Sequence, residues 1–394
     1  MKRVVLAYSG GLDTSVAIPW LADQGYEVIA VAVDVGQPGD LQEAVARATQ
    51  FGAIEARLVD ARHAFTDEFV LPAIHMNALY QGRYPLISAL SRPLIARILV
   101  EIARETGADA VAHGCTGKGN DQVRFEVSLG ALAPEIDVLA PARDWQMDRP
   151  AAIAYAQERG LAITTTKSSP YSIDENLWGR SIECGPLEDP WTSPTEDIYS
   201  LTSSPEDAPP PRDIEISFEK GVPVVIDGET LEPVQLLGQL GKLAGSYGCG
   251  RIDMIEDRLV GIKSREVYEA PAAIAVITAH EDLENLVLER AYAREKKRLE
   301  TQWTQLVYDG LWFSPLRAAI EEFSRIGKHS TTGDVRLRFV SGGCQAVARR
   351  SPHTLYEHSL ATYESDSDFD ESDAAGFVRL WGLPTRVWAG VDQK

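Results

Sequence analysis

Short apolar runs alternate with amphipathic segments through the first 165 residues of the chain. The apolar runs are continuous and rich in Val, Ile and Ala, which predicts buried strands at 3–8, 27–33, 56–59, 108–113 and 137–139. The segments between them predict helices at 13–24, 40–51, 63–80, 92–106, 120–132 and 148–159. Strands and helices that alternate in this way are typical of a doubly wound α/β fold with a parallel sheet.

A different pattern follows a proline-rich stretch from Pro186 to Arg212, in which seven prolines lie among many Ser, Asp and Glu residues. This composition predicts an irregular, exposed crossing between domains. Beyond the crossing, the pattern predicts strands at 214–218 and 222–226, a helix at 233–246, β-rich runs up to Ala279, a long helix at 281–309, and a hairpin of 335–340 with 345–348. The second half is therefore predicted to form an α+β domain.

The C-terminal segment combines an acidic stretch, Glu364 to Asp373, with the apolar residues Phe377, Val378, Leu380, Trp381, Leu383, Val387 and Trp388. An apolar stretch of this kind needs to be buried against another surface. Contact with a neighbouring subunit and packing on the chain's own second domain both remain open. We place the divisions of the chain at residues 1–165, 166–362 and 363–394.

The composition restricts the class of function. With 394 residues, the chain exceeds the roughly 250–300 at which a single core stops growing, so we expect two domains. Its formal net charge of −20 does not suit a nucleic-acid-binding surface, which would be basic. The four cysteines are far apart in sequence, which predicts free thiols in a reducing cytoplasm. No apolar run approaches the roughly 18 residues that a membrane span needs.

The strongest candidate for chemistry follows the first predicted strand, in residues Ser9 to Ser15. Gly10 and Gly11 allow a sharp turn that exposes backbone N–H groups, and the Ser and Thr residues add hydroxyl donors. Together with the helix N-terminus that follows, they form a cradle for phosphate. The loop lacks the lysine of G-x-x-x-x-G-K-[ST] and the spacing of G-x-G-x-x-G. The alternative is an ordinary βα turn. Asp13 could also cap the helix rather than act on magnesium or phosphate, and these two roles are compatible.

A second block, from His113 to Phe125, begins at the end of the fourth predicted strand and leads into a helix. Because the carboxyl ends of parallel strands meet at one edge of a sheet, this block should face the same crevice as the first loop. Its polar groups suit a zwitterionic amino acid, which needs donors for its carboxylate and an acceptor for its ammonium group. These polar residues are Thr116, Asn120, Asp121 and Arg124.

Four motifs carry a resemblance to a known family. They are A-Y-S-G-G-L-D-T-S at 7–15, H-G-C-T-G-K-G-N-D-Q-V-R-F at 113–125, S-P-Y-S-I-D-E-N at 169–176 and G-I-K-S-R-E-V-Y-E-A-P at 261–271. The first resembles the pyrophosphate loop of the ATP pyrophosphatases, and the four together resemble the argininosuccinate synthases of that superfamily. The resemblance covers essentially the whole chain. It implies an adenine nucleotide alpha-hydrolase-like first domain for the nucleotide, a synthetase domain for the other substrates, and a C-terminal oligomerisation tail.

The resemblance implies an enzyme that joins citrulline to aspartate at the expense of ATP, giving argininosuccinate, AMP and diphosphate in arginine biosynthesis. The ureido oxygen of citrulline would attack the α-phosphorus to form a citrullyl-adenylate, from which the aspartate amine would displace AMP. Such a protein positions its substrates and neutralises charge, and it requires no Ser or Cys nucleophile. Mg²⁺ is expected as the counter-ion of ATP. The family suggests a homotetramer.

The resemblance also implies the site residues, by their positions in the motifs. ATP would be bound by Ala7, Tyr8, Ser9, Gly10, Gly11, Leu12, Asp13, Thr14, Ser15 and Gly114. Aspartate would contact Thr116, Asn120 and Asp121. Citrulline would contact Tyr84, Asn120, Arg124, Ser172, Ser181, Glu256 and Tyr268. Asp121 and Arg124 would act in catalysis, and no protein ligand for a metal is named.

Two positions depart from the family pattern. Val33 stands where the family has a small alanine, and because that contact with the nucleotide is largely made by the backbone, the change should be mild. Ala89 stands where a serine is expected on citrulline. Ser88, Ser91 or a water molecule could take the place of that serine, and the sequence does not decide among them.

Other interpretations of the same residues remain open. Tyr84 and Tyr268 could be half-buried core aromatics, and Glu256 could be a surface carboxylate. Among functions, a related amidotransferase or amide synthetase would draw ammonia from a glutaminase, for which the chain shows neither an N-terminal Cys nor a recognisable segment. A nucleotide-binding sensor would hold ATP or AMP without turnover, and it would not need the Thr116 to Arg124 block.

Overall fold

The computed structural model describes residues 2–145, 149–161, 170–364 and 367–391. The boundary predicted at 165/166, Ser169 of the third motif and residue 148 of the sixth predicted helix lie outside these ranges. Residues up to His353 form one compact unit, and residues from Thr354 onward form a second. Across the part of the chain that the structure describes, every helix is too short or too polar to cross a membrane.

The first part of the chain alternates strands and helices, as the hydrophobic pattern predicts. Its elements are β1 (Lys2–Ala7), α1 (Leu12–Asp23), β2 (Tyr26–Asp34), α2 (Leu41–Gln50), β3 (Glu55–Asp60), α3 (Arg62–Phe65), α4 (Leu71–His75), α5 (Ile87–Thr106), β4 (Ala110–Ala112), α6 (Asp121–Leu132), β5 (Asp137–Leu139), α7 (Pro141–Asp144) and α8 (Arg149–Glu158). The strands form one sheet in the order β3-β2-β1-β4-β5, and every neighbouring pair is parallel. The predicted doubly wound sheet is confirmed.

Both faces of this sheet are covered, because successive side chains of a strand point to opposite sides. On β2, Val28 and Ala30 pack with Ile18 and Leu21 of α1 on one face. The odd-numbered residues Ile29, Val31 and Val33 belong to the core on the other face, which includes α5. The second core is the larger one. It continues without a break into side chains of the second half of the chain, among them Trp178, Ile252 and Tyr268.

Two predicted helices of the first part differ in the structure. The helix expected at 63–80 ends at His75 and contains a π-helical turn, Thr66–Val70, between α3 and α4. Asn77 just beyond it has a φ of +40°, which the helical periodicity could not indicate. The helix expected from residue 92 begins five residues earlier, at Ile87. Proline is most common in the first helical turn, so Pro93 made a start at 92 the natural prediction.

The second part builds two antiparallel sheets and four helices. Its elements are β6 (Ser172–Asn176), β7 (Gly179–Glu183), β8 (Arg212–Glu219), β9 (Val222–Ile226), β10 (Glu229–Thr230), α9 (Pro233–Ser246), β11 (Arg251–Asp257), β12 (Lys263–Glu269), α10 (Pro271–Val287), α11 (Arg290–Tyr308), α12 (Pro315–Lys328), β13 (Gly333–Val340) and β14 (Gly343–Arg350). One sheet has the order β10-β9-β8-β13-β14, and the other has the order β11-β12-β7-β6. The α+β prediction and the late hairpin, β13 with β14, are both confirmed.

The β-rich run predicted up to Ala279 is wrong after Glu269, because α10 already begins at Pro271. Its Ala, Ile and Val residues are buried on nearly every side, and such a run cannot be told from a buried strand by periodicity. The long helix predicted at 281–309 is two helices. Glu289 separates them, since its carboxylate accepts hydrogen bonds from the backbone N–H groups of Ala291 and Tyr292 and caps α11.

The proline-rich crossing is irregular, with three short 3₁₀ turns, and one buried carboxylate fixes part of it. Glu269, at the end of β12, is fully buried. Its oxygens accept hydrogen bonds from the backbone N–H groups of Ser200, Leu201 and Thr202 at 2.9–3.1 Å. Arg180 of β7 donates to the same carboxylate at 2.8 Å. Glu269 therefore joins the crossing to two strands of the four-stranded sheet.

The second unit contains three helices, α13 (His358–Ala361), α14 (Glu371–Trp381) and α15 (Leu383–Val391). No described residue of α14 or α15 is buried. Phe377 and Trp381 stack on one another, with ring centroids 5.5 Å apart. The apolar residues that the sequence singled out here are thus on helices, as an amphipathic segment requires.

Candidate active site

The loop between β1 and α1 holds hydroxyl and backbone groups close together. Gly10 has a φ of +76°, a conformation that residues with side chains rarely adopt, and a Cβ there would lie 2.9 Å from the Cβ of Ala44. Thr14 Oγ1 lies 3.1 Å from Ser9 Oγ. Gly11, which has no side chain to cap the helix, is the N-cap of α1, and Asp13 lies inside the first turn. The sequence alternative in which Asp13 is the cap is therefore wrong.

Gly114 brings the second motif against this loop. It follows β4, which pairs with β1 at the point where the strand order of the sheet reverses. A Cβ on Gly114 would lie 2.7 Å from Thr14 Cγ2, closer than side chains pack. The two motifs thus meet at the switch point of a parallel sheet, where α/β folds bind ligands.

Two cavities adjoin at this edge of the sheet. The first has a volume of about 410 Å³, and its lining includes Ala7, Tyr8, Ser9, Thr14, Val31, Val33, Val35, Ile95, Gly114 and Phe125. The second, of about 380 Å³, has a more polar lining that includes Asp13, Tyr84, Ser88, Thr116, Asn120, Asp121, Arg124, Ser172, Ser181, Glu256 and Tyr268. The residues that line both are Ser9, Arg92, Gly114, Cys115, Ile173 and Asp174. A ligand in one cavity would therefore be in reach of a ligand in the other.

Arg92 lies between two carboxylates where the cavities meet. Its Nε donates to Asp121 Oδ2 at 2.9 Å, and its Nη2 donates to Asp174 Oδ2 at 2.7 Å. Burial acts to raise the pKa of Asp121, but Arg92 and Arg124 outweigh it and hold that pKa below its ordinary value. Burial raises the pKa of Asp174 above its ordinary value, the charge of Asp121 adds to this rise, and Arg92 and Arg124 do not compensate for it.

Arg124 is buried, and its guanidinium is held from three sides. Nη1 donates to Asp121 Oδ1 at 2.8 Å and to Ser88 Oγ at 3.2 Å. Nε donates to the backbone carbonyl of Tyr308 at 3.1 Å, and the guanidinium lies 5.0 Å from the centroid of that ring. These contacts fix the direction of the positive charge before any substrate is present.

Stacked tyrosines form one side of the second cavity. Tyr84 and Tyr268 stack with ring centroids 4.3 Å apart, and Tyr268 OH donates to Glu256 Oε2 at 3.1 Å. Burial is the main reason that the pKa of Glu256 lies above its ordinary value. Tyr308 receives a hydrogen bond on its hydroxyl from Asn120 Nδ2 at 2.9 Å. Glu256 is 4% exposed, so the alternative of a surface carboxylate is wrong.

The four-stranded sheet presents one face to the second cavity. Cross-strand partners share a face, and the partners here are Asp174 with Ser181, Ser172 with Glu183, and Tyr268 with Ser181. Because side chains on a strand alternate with period two, the polar residues at even spacing all lie on this face. The lining residues from this face are Ser172, Asp174, Ser181, Glu183, Glu256, Glu266 and Tyr268.

A third arginine of the site, Arg258, lies at the far end of the same face. Arg258 Nη2 donates to Glu266 Oε1 at 2.6 Å and also to Glu183. Arg258 Nε donates to Ser264 Oγ at 2.8 Å. Burial raises the pKa of Glu266 to about 8, and the adjacent Glu183 adds to this rise while Arg258 opposes it. This face therefore carries more carboxylates than arginines to neutralise them.

Comparison with known proteins shows the family to which the chain belongs. Family models of the arginosuccinate synthase N-terminal HUP domain and C-terminal domain match residues 3–162 and 171–388. The argininosuccinate synthases of Rubrobacter xylanophilus and Halalkalibacterium halodurans are 54% and 53% identical over 392 and 394 residues, covering 99% and 100% of this chain and 96% of each relative. The chain belongs to the argininosuccinate synthase family. A solved structure, that of a predicted subunit of tRNA methyltransferase from Methanocaldococcus jannaschii, is 15% identical in sequence, and the match covers 40% of this chain and 75% of that one. Its TM-score of 0.28 is too low to support any argument about this chain.

The structure brings most of the residues that the family resemblance named to the two cavities. From the ATP set, the residues that line the first cavity are Ala7, Tyr8, Ser9, Thr14 and Gly114, and Asp13 lines the second. The remaining four, Gly10, Gly11, Leu12 and Ser15, do not line either cavity. Ser15 is buried with its Oγ 3.3 Å from Tyr8 OH. Every residue named for aspartate or citrulline lines the second cavity.

The serine that the family resemblance leads us to expect on citrulline is replaced by Ala89, and two serines lie close to it in sequence. Ala89 is buried in the core. Ser88 lines the second cavity, with its Oγ 3.1 Å from Tyr84 OH and 3.2 Å from Arg124 Nη1. Ser91 is fully buried, and its Oγ donates to the carbonyl of Ser88. Of the two serines, the geometry favours Ser88.

Several lining residues of this argininosuccinate synthase family site were not found from the sequence. They are Arg92, Cys115, Asp174, Glu183, Arg258 and Glu266. Asp174 lies inside the third motif, so the even spacing of Ser172, Asp174 and Asn176 could have indicated it. Arg92 and Arg258 carried no such signal, because their partners are distant in sequence.

Gly114→Ala is expected to raise the KM for ATP about tenfold. The new methyl group would overlap Thr14, and overpacking of this kind costs about 1–3 kcal/mol. Steady-state diphosphate release at varied ATP measures it. Gly117→Ala is the matched control, since a Cβ there would lie 3.7 Å from its nearest neighbour. Equal ATP dependence of the two variants would contradict the close approach.

The free energy of unfolding is expected to fall as pH rises, because the folded protein holds a proton on Glu266. Its pKa of about 8 in the folded protein exceeds the value of about 4.3 for an unfolded chain. The folded state therefore holds the proton more tightly, and this stabilisation, complete below about pH 4, is lost as pH rises through about 8. Urea midpoints measured from about pH 6 to 9 should fall less in Glu266→Gln. A slope equal to that of the exposed control Glu219→Gln would contradict it.

Proposed function

We propose that this chain joins citrulline to aspartate at the expense of ATP, giving argininosuccinate, AMP and diphosphate in arginine biosynthesis. Family membership supports the reaction. The observation that carries it is the meeting of two cavities at Arg92 and Asp174, because the α-phosphorus of ATP must touch the ureido oxygen of citrulline. A protein that only held a nucleotide would need the first cavity alone.

In this proposal ATP occupies the first cavity. Val31, Val33 and Val35 supply an apolar surface suited to a purine, as nucleotide pockets commonly do. The phosphates lie toward the loop from Ala7 to Ser15 and Gly114, where backbone N–H groups at the start of α1 point outward. Thr14 contributes a hydroxyl donor in the first cavity, and Ser9 contributes one at the border of the two cavities.

Citrulline and aspartate share the second cavity. The residues proposed for citrulline are Tyr84, Asn120, Arg124, Ser172, Ser181, Glu256 and Tyr268, with Ser88 in place of the expected serine at position 89. Aspartate is proposed to contact Thr116, Asn120 and Asp121. The cavity offers both carboxylates and guanidinium groups, which complement the two charges of an amino acid.

The chemistry needs two displacements. The ureido oxygen attacks the α-phosphorus, the bond to the bridging oxygen breaks, and diphosphate leaves. The aspartate amine then attacks the adenylated carbon, loses a proton, and AMP leaves with the carbon–oxygen electron pair. Arg92 lies where the first step occurs, so its charge would offset negative charge that develops on the α-phosphate.

Four further points belong to this proposal. Mg²⁺ would be supplied with ATP as its counter-ion, held mainly by phosphates and water. The exposed apolar residues of α14 and α15 suit an oligomerisation tail, and we propose a homotetramer. The division at 1–165, 166–362 and 363–394 and a location in the cytoplasm complete the proposal.

The test measures diphosphate release by the full chain with each substrate withheld in turn. Release should require ATP, citrulline and aspartate together for sustained turnover. Ammonia or glutamine in place of aspartate should give none. Sustained release with ammonia would identify an amide synthetase instead, and nucleotide binding without turnover would identify a sensor.

Asp121→Asn is expected to raise the KM for aspartate about tenfold to a hundredfold, the effect of losing a charged hydrogen bond of about 1.5–3 kcal/mol. Exchange of labelled diphosphate into ATP with citrulline alone should change less, because that half-reaction does not use aspartate. Asp137→Asn, on the exposed start of β5, serves as control. An equal loss in both half-reactions would assign Asp121 to holding Arg92 and Arg124 rather than to aspartate.

A further inference from the structure

His113 is a buried histidine that lines neither of the two cavities of the site. It follows β4, and its backbone N–H donates to the carbonyl of Leu139 in β5 at 3.1 Å. Gly114 and Cys115 come next and line both cavities. His113 is thus the last residue of this segment in the protein interior before the chain reaches the proposed substrates.

One ring nitrogen of His113 holds the backbone of the turn that follows it. Nδ1 accepts a hydrogen bond from the backbone N–H of Cys115 at 3.2 Å. The contact has the connectivity of an Asx turn, in which a side-chain acceptor binds the N–H group two residues later. It therefore fixes the direction of the peptide plane that joins Gly114 to Cys115.

This hydrogen bond requires a neutral imidazole, because a protonated Nδ1 is a donor and cannot accept. Burial is the main reason that the pKa of His113 lies below its ordinary value, and Arg143 acts in the same direction while Glu126 and Asp144 oppose it. Nε2 lies 3.4 Å from Glu126 Oε1, to which Arg143 Nη1 donates at 2.5 Å. The ring stacks on Phe125, with centroids 5.5 Å apart and planes 13° from parallel. Packing thus holds the ring in the orientation that aims Nδ1 at the turn.

We propose that His113 is a positioning residue for the two substrates that meet this turn, ATP and aspartate. Its Nδ1 holds the backbone so that Gly114 stays against Thr14 and Thr116 faces the second cavity. Without that acceptor, Gly114 and Gly117 give the turn access to other conformations, and each substrate must order it on binding. This role rests on the proposed function, whereas the contact itself does not.

Two variants of nearly equal shape, His113→Asn and His113→Leu, separate the acceptor from the packing. Asparagine Oδ1 can take the place of Nδ1, as it does in Asx turns, whereas leucine has no acceptor. Both leave similar space beside Phe125, so a loss of stability that comes from this space is common to both. His63→Leu, at an exposed position of α3, controls for the loss of a histidine as such.

Diphosphate release by the full chain gives the KM for each substrate. In His113→Leu we expect the KM for ATP and for aspartate to rise about threefold to tenfold, the effect of losing one neutral hydrogen bond. The KM for citrulline should stay within about twofold, because most residues proposed for citrulline lie outside the turn. In His113→Asn the rise for ATP and aspartate should be at most about twofold. Equal rises in the two variants, or a rise for citrulline as large as that for ATP, would overturn the proposal.

Hydrogen exchange of the Cys115 amide, followed residue by residue, tests the contact itself. We expect exchange at least about tenfold slower than in an unstructured peptide for the native chain and for His113→Asn, and nearly unprotected exchange for His113→Leu. Unprotected exchange in the native chain overturns the proposal even if neither variant folds. A slow amide in a chain that shows no diphosphate release would leave the contact standing and reject the proposed function.

Discussion

Arg124→Ala is expected to lower the affinity for citrulline about tenfold to a hundredfold while the KM for ATP stays within about twofold. The guanidinium is buried, donates to Ser88 Oγ in the second cavity and lies 5.0 Å from the centroid of the Tyr308 ring. Removing it deletes a charged hydrogen bond to the substrate, worth about 1.5–3 kcal/mol. It also leaves Asp121 with Arg92 as its remaining guanidinium, which makes the cavity more negative.

The measurement is the KM for citrulline in diphosphate release, together with direct binding of citrulline. Arg124→Lys should lie between the native chain and the alanine variant, because lysine keeps the charge but not the planar fork that reaches Asp121 and Ser88 together. Arg104→Ala, on the exposed end of α5, controls for loss of an arginine as such. Unchanged citrulline binding in Arg124→Ala would remove this residue from the site.

Glu269→Ala is expected to lower the free energy of unfolding by about 3–5 kcal/mol. The change removes one of the two carboxylates that pair with the buried Arg180, and it removes the acceptor of three backbone N–H groups. Breaking a buried pair on one side has this order of cost. We expect the same variant to disturb the active site. Tyr268, which precedes Glu269 on β12, stacks on Tyr84 in the second cavity.

Urea unfolding followed by tryptophan fluorescence measures this prediction. Glu196→Ala is the matched control from the same crossing, since Glu196 is 63% exposed and pairs with Arg251 at the surface. We expect its urea midpoint to stay close to that of the native protein. If both variants unfold at the same urea concentration, Glu269 does not hold the crossing in place.

The first sheet could be predicted because each signal it depends on is local. Buried parallel strands are short apolar runs, and the helices between them are amphipathic, so both can be identified within a few residues. α10 could not be identified in this way. It is buried on nearly every side, which removes the polar face that distinguishes a helix from a strand. The break between α10 and α11 could not be identified either. It depends on the capping carboxylate of Glu289, which in sequence resembles its charged neighbours.

The residues of the candidate site can also be separated into those that the sequence could indicate and those that it could not. Glycine loops and the polar block after β4 could be found because their residues are adjacent in sequence. Arg92 could not be found in this way, because its position in the site depends on Asp121 and Asp174, which lie 29 and 82 residues away in sequence. The same is true of Arg258, whose partner Glu183 lies 75 residues earlier. Such pairs exist only after the sheets have been assembled.

The core that runs unbroken from the parallel sheet into the second half of the chain has a consequence for how this protein can evolve. Side chains from both halves, such as Leu90 and Trp178, fill the same interior. Interiors are packed as tightly as crystals, so a substitution accepted on one side must suit the shapes on the other. The two halves must therefore change together. Exchange of either one for the corresponding half of a distant relative would create mismatches throughout the interior.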